Sequence, residues 1–315
     1  MGLDILELIA SLVVLLVGGD QFVIGSARLA ASFSVRPILV GLIVGGIGTS
    51  LPELIVAFVA STRQDVPLAM GNLVGSVIAN LALALAIAAL VAPIKVDSRT
   101  IRREAPLSVG AVLLFGVLAN DGLSWAEGIV LTIMLVVALV LLLANARLGK
   151  TRDKLAGEVV DFFDARRHHP TGREVGRTLA GSIAMVGGAE LLVRSASNLA
   201  ARWGLAEGFV GLTIVAVGTS APLIASSVQA ARRGDHDLLA GNVLGGNLFI
   251  ALAGGAIVAF VATAPAGRIG VPALWLMGAV TVVAWAFMAR RAVISRWEAA
   301  TLVLAYGAML PFLNR

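Results

Sequence analysis

Residues 41–54 read GLIVGGIGTSLPEL, and residues 211–224 read GLTIVAVGTSAPLI. The two stretches share the frame Gly-Thr-Ser-x-Pro at an offset of 170, but Glu53 of the first is Leu223 in the second. GNLVGS (71–76) and GNVLGG (241–246) hold the same offset, and VGGDQF (17–22) matches VGGAEL (186–191) one residue out of step. Isolated glycines would mean little, because glycine is common in membrane helices. Several motifs holding one offset instead identify an internal repeat.

Composition sets the environment of that repeat. Of 315 residues, 58% are hydrophobic and 14% charged, more apolar surface than a soluble interior can hide. A membrane helix needs roughly 20 apolar residues, and residues 129–144, IVLTIMLVVALVLLLA, contain no charge at all. A β-barrel would show short alternating segments, so the pattern predicts a helical bundle. The absence of cysteine excludes disulfides and thiolate chemistry. Asp4 and Glu7 near the N-terminus, with no early Lys or Arg, predict a first membrane helix rather than a cleaved signal peptide.

Apolar runs between charged or Pro-containing breaks predict ten spans near 4–33, 38–62, 67–93, 105–119, 125–146, 177–202, 208–231, 237–263, 271–289 and 297–313. The expected organisation is a first repeat over 1–146, a polar linker over 147–176 and a second repeat over 177–315. Five spans per repeat is odd, so the second repeat enters the membrane inverted. With the linker in the cytoplasm and both termini outside, 19 of the 24 Lys and Arg residues fall on the inner side, a strong positive-inside bias. The fold class read from the sequence is an all-α polytopic membrane protein: ten helices in two inverted five-helix repeats, with broken helices at the midplane. Its expected location is the plasma (inner) membrane, as a multi-pass protein.

Inverted repeats that meet at the midplane build transport sites where helices are discontinuous. Gly45, Gly46, Gly48 and Pro52 interrupt the second span, and Gly218 and Pro222 the seventh. Carbonyls freed by proline are tolerated at that depth only when buried in protein or facing a cavity. With the hydroxyls of Thr49 and Ser50 and the carboxylate of Glu53, they offer oxygen to hard cations. Ser76 and Asn80 lie four apart, on one helical face. Such residues more often bond neighbouring helices, but beside Glu53 a ligand role gains weight. A midplane carboxylate is functional by default. Asp20 and Glu190 read more simply as interhelical or end-of-helix groups, with Arg194 one turn from Glu190.

These residues resemble the signature repeats of the Ca²⁺/cation antiporter superfamily, typified by sodium/calcium exchangers. GTSLPEL with GNLVGSVIAN looks like its first repeat, and GTSAPLI with GNVLGGNLFI like its second. The resemblance implies a cluster of midplane cation sites made by Thr49, Ser50, Glu53, Ser76 and Asn80, with a Gly46 carbonyl, from the first repeat. Thr219, Ser220 and an Ala216 carbonyl come from the second. Three positions depart from the family pattern: its Glu is Leu223, a usual Ser is Gly246, and a usual Asp or Asn is Ile250. Val77 also replaces an Asn.

Those departures carry an electrostatic consequence. Two glutamates neutralise one Ca²⁺, whereas Glu53 alone leaves excess positive charge in a low-dielectric site. Ca²⁺ also seeks six to eight oxygens. The expected activity is therefore secondary-active cation antiport by alternating access around Glu53, with selectivity shifted towards Na⁺ or H⁺ rather than Ca²⁺. The other compatible class is a non-transporting scaffold or sensor. No cofactor is expected beyond the transported cations, and the partners are inorganic cations and the lipid bilayer. An enzyme is not expected, since neither a zinc motif nor an intramembrane Ser/His pair is present. Nucleic acid is not expected either, because the basic residues follow topology rather than forming a face. His168 and His169 beside Asp161 and Asp164 suit a regulatory site less well than an amphipathic linker segment.

Overall fold

The computed structural model describes residues 2–32, 48–97, 100–147, 170–263 and 271–313. Its first-half helices are α1 (Gly2–Ser32), α2 (Leu51–Thr62), α3 (Val66–Ala79), α4 (Ala86–Val91), α5 (Ala105–Leu118) and α6 (Trp125–Arg147). The second half holds α7 (Thr171–Trp203), α8 (Glu207–Val210), α9 (Ala216–Arg233), α10 (His236–Phe249), α11 (Gly255–Val261), α12 (Val271–Arg291) and α13 (Arg296–Leu313). Among the described residues, seven helical runs are long and apolar enough to cross a membrane, and Gly48–Thr62 forms a shorter apolar helix. The protein is an all-α polytopic membrane protein. Helix α7 begins at Thr171, inside the stretch expected as linker. The His168–His169 and Asp161–Asp164 reading lies outside the described residues.

Burial separates two shells. The runs Val66–Val91 and His236–Val261 are each 78% buried, whereas Trp125–Leu142 is 22% buried. The first two are therefore the centre of the bundle, and α6 is a lipid-facing flank. Their neighbours are exchanged between the halves in a matched way: α4 packs on α13 and α11 on α6, α2 on α11 and α9 on α4, while α5 meets α12.

Helices α1 and α7 form the longest interface, running antiparallel. It is close because glycines remove the side chains at the crossing. A Cβ at Gly18 would come within 2.6 Å of the Met185 backbone nitrogen, and one at Gly188 within 2.5 Å of that of Leu15. Small residues let membrane helices approach until backbones touch, where dispersion replaces the missing hydrophobic drive. Ion pairs close both ends of this hairpin. Arg202 meets Asp4 at 2.6 Å, and Glu174 receives Arg177 at 3.3 Å and Arg28 at 3.6 Å.

Loops from the two halves meet at shared ends. At one, Thr263 donates to Gln64 Oε1 from its amide (3.0 Å) and hydroxyl (2.7 Å), and Ser197 Oγ donates to Asp65 at 2.6 Å. At the other, strand β1 (Ile94–Lys95) pairs antiparallel with β2 (Val293–Ile294), with Ile94 opposite Ile294 and Lys95 opposite Val293. That second end also gathers Lys95, Asp97, Gly234, His236 and Asp237 around one cavity.

The helix interruptions take a specific form. Pro52 sits at the start of α2, where its missing amide costs nothing. Pro222 lies inside a continuous α9, and the irregularity comes earlier, as a π-helical turn over Gly211–Val215. The seventh span is thus loosened by a wide turn rather than an unwound gap. Further π-turns join α3 to α4 (Asn80–Leu85) and α10 to α11 (Ile250–Gly254). They begin at positions 170 apart, and such turns concentrate at functional sites.

Gly188→Leu should lower the stability of the purified protein in detergent by at least roughly 1–3 kcal/mol, read as a lower thermal unfolding midpoint. Gly187→Leu, at a position with open space around it, should leave the midpoint within error.

Candidate cation-binding site

Glu53 occupies the first turn of α2, directly after the short 3₁₀ turn Gly48–Ser50. A helix N-terminus favours negative charge there. The residue is 1% exposed, at the heart of the bundle. Ser220 Oγ of α9 donates to its Oε1 at 3.4 Å, across the two halves. Asn72 Nδ2 of α3 donates to the Glu53 backbone carbonyl at 3.1 Å and so fixes the turn that carries the carboxylate. Thr219 Oγ1 lies 3.5 Å from Asn72 Oδ1 and donates to the Ala216 carbonyl at 3.1 Å.

One turn of α3 deeper, Ser76 and Asn80 are both buried. Asn80 Nδ2 donates to Asn247 Oδ1 at 2.8 Å, and Asn247 Nδ2 donates to the Val77 carbonyl at 3.4 Å. A Cβ at Gly246 would lie 3.1 Å from Ser50 Oγ and 4.0 Å from Asn80 Nδ2, so position 246 faces the same cluster. Ser50 caps its helix without a side-chain hydrogen bond, and Thr49 sits half-buried beside it. Gly46 lies outside the described residues.

Among the described residues, Glu53 Oε2, Ser76 Oγ and Asn80 Oδ1 are buried without a hydrogen-bond partner. Buried polar atoms are nearly always paired, and an unpaired one costs about 1–3 kcal/mol. Three such oxygens from three sequence-predicted positions suit a hard cation or, at the carboxylate, a proton. No group of three or more His, Asp or Glu side chains gathers among the described residues, so negative charge at this cluster comes from Glu53.

The cluster is lopsided. At the offset of 170, Glu53–Ser220 corresponds to Leu223–Ser50, and Asn80–Asn247 to Ile250–Val77. Leu223 is 4% exposed and Ile250 fully buried. At matched positions, Glu53 and Asn80 are thus polar where Leu223 and Ile250 present hydrocarbon.

Asn72 and Asn247 were not legible as site residues. Asn72 recurs as Asn242 within the repeated GN motif, a signal that was present in the sequence. Asn247 has no such signal, because its counterpart is Val77 and only the packing of α10 against the π-turn Asn80–Leu85 brings it to Asn80. Glu190 does take Arg194 as a neighbour at 3.8 Å, but its tighter partner is Arg63, which sequence spacing did not indicate.

The chain as a whole is similar to known proteins. A family model described as sodium/calcium exchanger protein matches residues 4–144 and 175–313. The inner membrane protein YrbG of Escherichia coli is 34% identical over 247 residues, 77% of this chain and 75% of its own length. The sodium/calcium exchanger MaX1 of Methanosarcina acetivorans is 28% identical over 350 residues, 98% of this chain and 97% of its own. Among solved structures, the sodium-calcium exchanger NCX_Mj is similar with a TM-score of 0.64 and 27% identity over 99% of both chains.

Replacing Asn80 or Asn247 with Ala should each destabilise the protein by about 1–3 kcal/mol, because each leaves a buried partner unpaired. The double replacement should cost less than the sum. Thermal unfolding of the four proteins of this cycle in detergent tests the coupling.

Proposed function

This chain belongs to the sodium/calcium exchanger family, and from that premise we propose that it is a secondary-active cation antiporter working by alternating access around Glu53. The observation that carries the reading is the buried Glu53 carboxylate, held by Ser220 from the opposite half and lacking any partner for its second oxygen among the described residues. The substrate cation is read as bound by Glu53, Ser76, Asn80 and Ser220, with Ser50, Thr49, Thr219 and the Ala216 and Gly46 carbonyls around them. Asn72 and Asn247 set the positions of these groups rather than bind.

The same geometry supports selectivity for Na⁺ or H⁺ over Ca²⁺. One carboxylate balances one monovalent charge, while a second positive charge at this depth would cost several kcal/mol without compensation. Leu223 and Ile250 close the side of the cluster where a further acidic or amide oxygen would supply it. The repeats are taken as 1–146 and 177–315, joined by a cytoplasmic linker, with both termini outside the inner membrane. The gathering of Lys95 with β2 and the Arg290–Arg291 end supports one basic face.

Reconstituted into proteoliposomes, the protein should exchange Na⁺ or H⁺ across the membrane, and Glu53→Gln should reduce that flux to background. Retained flux in the variant would refute the role of Glu53. Absence of both flux and cation binding in the unmodified protein would favour the scaffold reading. Leu223→Glu, alone or with Gly246→Ser, should raise Ca²⁺ binding at least about tenfold, which needs only ~1.4 kcal/mol from an added carboxylate in a low-dielectric site. Titration calorimetry in detergent measures it.

A further inference from the structure

Asp20, Arg63, Glu190 and Arg233 lie outside the cluster just described and obey the same offset. Asp20 of α1 corresponds to Glu190 of α7, and Arg63 after α2 corresponds to Arg233 at the end of α9. One combination is made: Arg63 Nε donates to Glu190 Oε2 at 2.8 Å, with a second contact from Nη2 to Oε1. It ties the end of α2 to the side of α7. The other combination is not made. Asp20 and Arg233 are both exposed, and neither takes an ion-pair partner among the described residues.

Packing follows the same asymmetry. Helix α2 lies along α7 over a broad contact, whereas α9 touches α1 over a narrower one. Arg63 belongs to the end that holds Asp65, Gln64 and Thr263; Arg233 belongs to the opposite end, next to Gly234 and His236 at the cavity with Lys95. Asp20 sits about 24 Å along α1 from Asp4, well inside a span whose hydrocarbon surroundings make an unpaired carboxylate expensive. Such a group needs either water or a partner that arrives in another arrangement of the helices.

We propose that Asp20 and Arg233 form the counterpart of the Glu190–Arg63 ion pair in a second conformation of the protein, so that the two pairs latch opposite ends of the bundle in turn. The inference deepens the antiport reading and rests on it. In an inverted repeat, exchanging the conformations of the two halves converts one state into the other. The contact now made by α2 and α7 then passes to α9 and α1. Each latch biases the equilibrium towards its own state, by the 5–150-fold typical of coupled sites.

The chain has no cysteine, so paired thiols can be introduced without background. The experiment places Arg63→Cys with Glu190→Cys, or Asp20→Cys with Arg233→Cys, in the full-length protein in proteoliposomes. A short bifunctional methanethiosulfonate reagent is then applied, and bridged protein is counted by intact mass. Both pairs should bridge, each bridge should stop ion flux, and reduction should restore it. In the four-cysteine protein each molecule should carry one bridge or the other, never both. Asp20→Asn, which removes the second latch without new thiols, should raise the bridging rate of the Arg63/Glu190 pair roughly 5–150-fold. The proposal is overturned if the Asp20/Arg233 pair never bridges while the first pair does. It also fails if both bridges coexist in one molecule, or if Asp20→Asn leaves the rate unchanged. Mutually exclusive bridges in a protein without flux would uphold the latches and remove the antiport reading instead.

Discussion

A single carboxylate in the middle of a hydrocarbon-bounded bundle constrains everything around it. Burying Glu53 to 1% exposure, with no basic partner among the described residues, is tolerable only if its charge is met by a cation or a proton and its oxygens by donors. The fold answers part of that demand. It puts the residue at a helix N-terminus, brings Ser220 across from the other half, and anchors the turn through Asn72. Among the described residues the remaining oxygen has no partner, nor do those of Ser76 and Asn80. The same feature that weakens the cluster as a structural element suits it to bind and release an ion.

The asymmetry between the halves has a physical logic. A duplicated frame serves the architecture, since the matched π-turns at Asn80–Leu85 and Ile250–Gly254 set where the backbone departs from regular helix in each half. The charge is not needed twice for that purpose. Leu223 and Ile250 keep the packing volume of the second half while withdrawing its oxygens. The π-turns at Asn80 and Ile250 keep matched positions, while Glu53 alone carries the charge.

Much of this is legible in the sequence. The 170-residue offset, the apolar runs and the distribution of Lys and Arg follow from one-dimensional patterns that helices in a bilayer must obey. Glu53, Ser76 and Asn80 stood out because polar groups at that depth are costly and so rarely incidental. Other features were hidden for equally concrete reasons. Helix runs continuously through Pro222, and the irregularity lies upstream as a π-turn at Gly211–Val215, a placement that spacing does not encode. The start of α7 at Thr171 places Glu174 beside Arg177 and against Arg28 of α1, and the contact with α1 follows from no local spacing.

The sequence by itself determined that the chain is a membrane-embedded helical bundle, duplicated, with one acidic residue where its repeat partner has leucine. Hydropathy and periodicity carry that information, because each helix must satisfy its own backbone in lipid. Only the tertiary structure decided which side chains meet. Asn247 reaches Asn80, and Arg63 reaches Glu190, across 167 and 127 residues of chain. The first contact follows from the packing of α10 on the π-turn Asn80–Leu85, and the second from the packing of α2 on α7. Those are matters of three-dimensional packing that no local pattern in a sequence records.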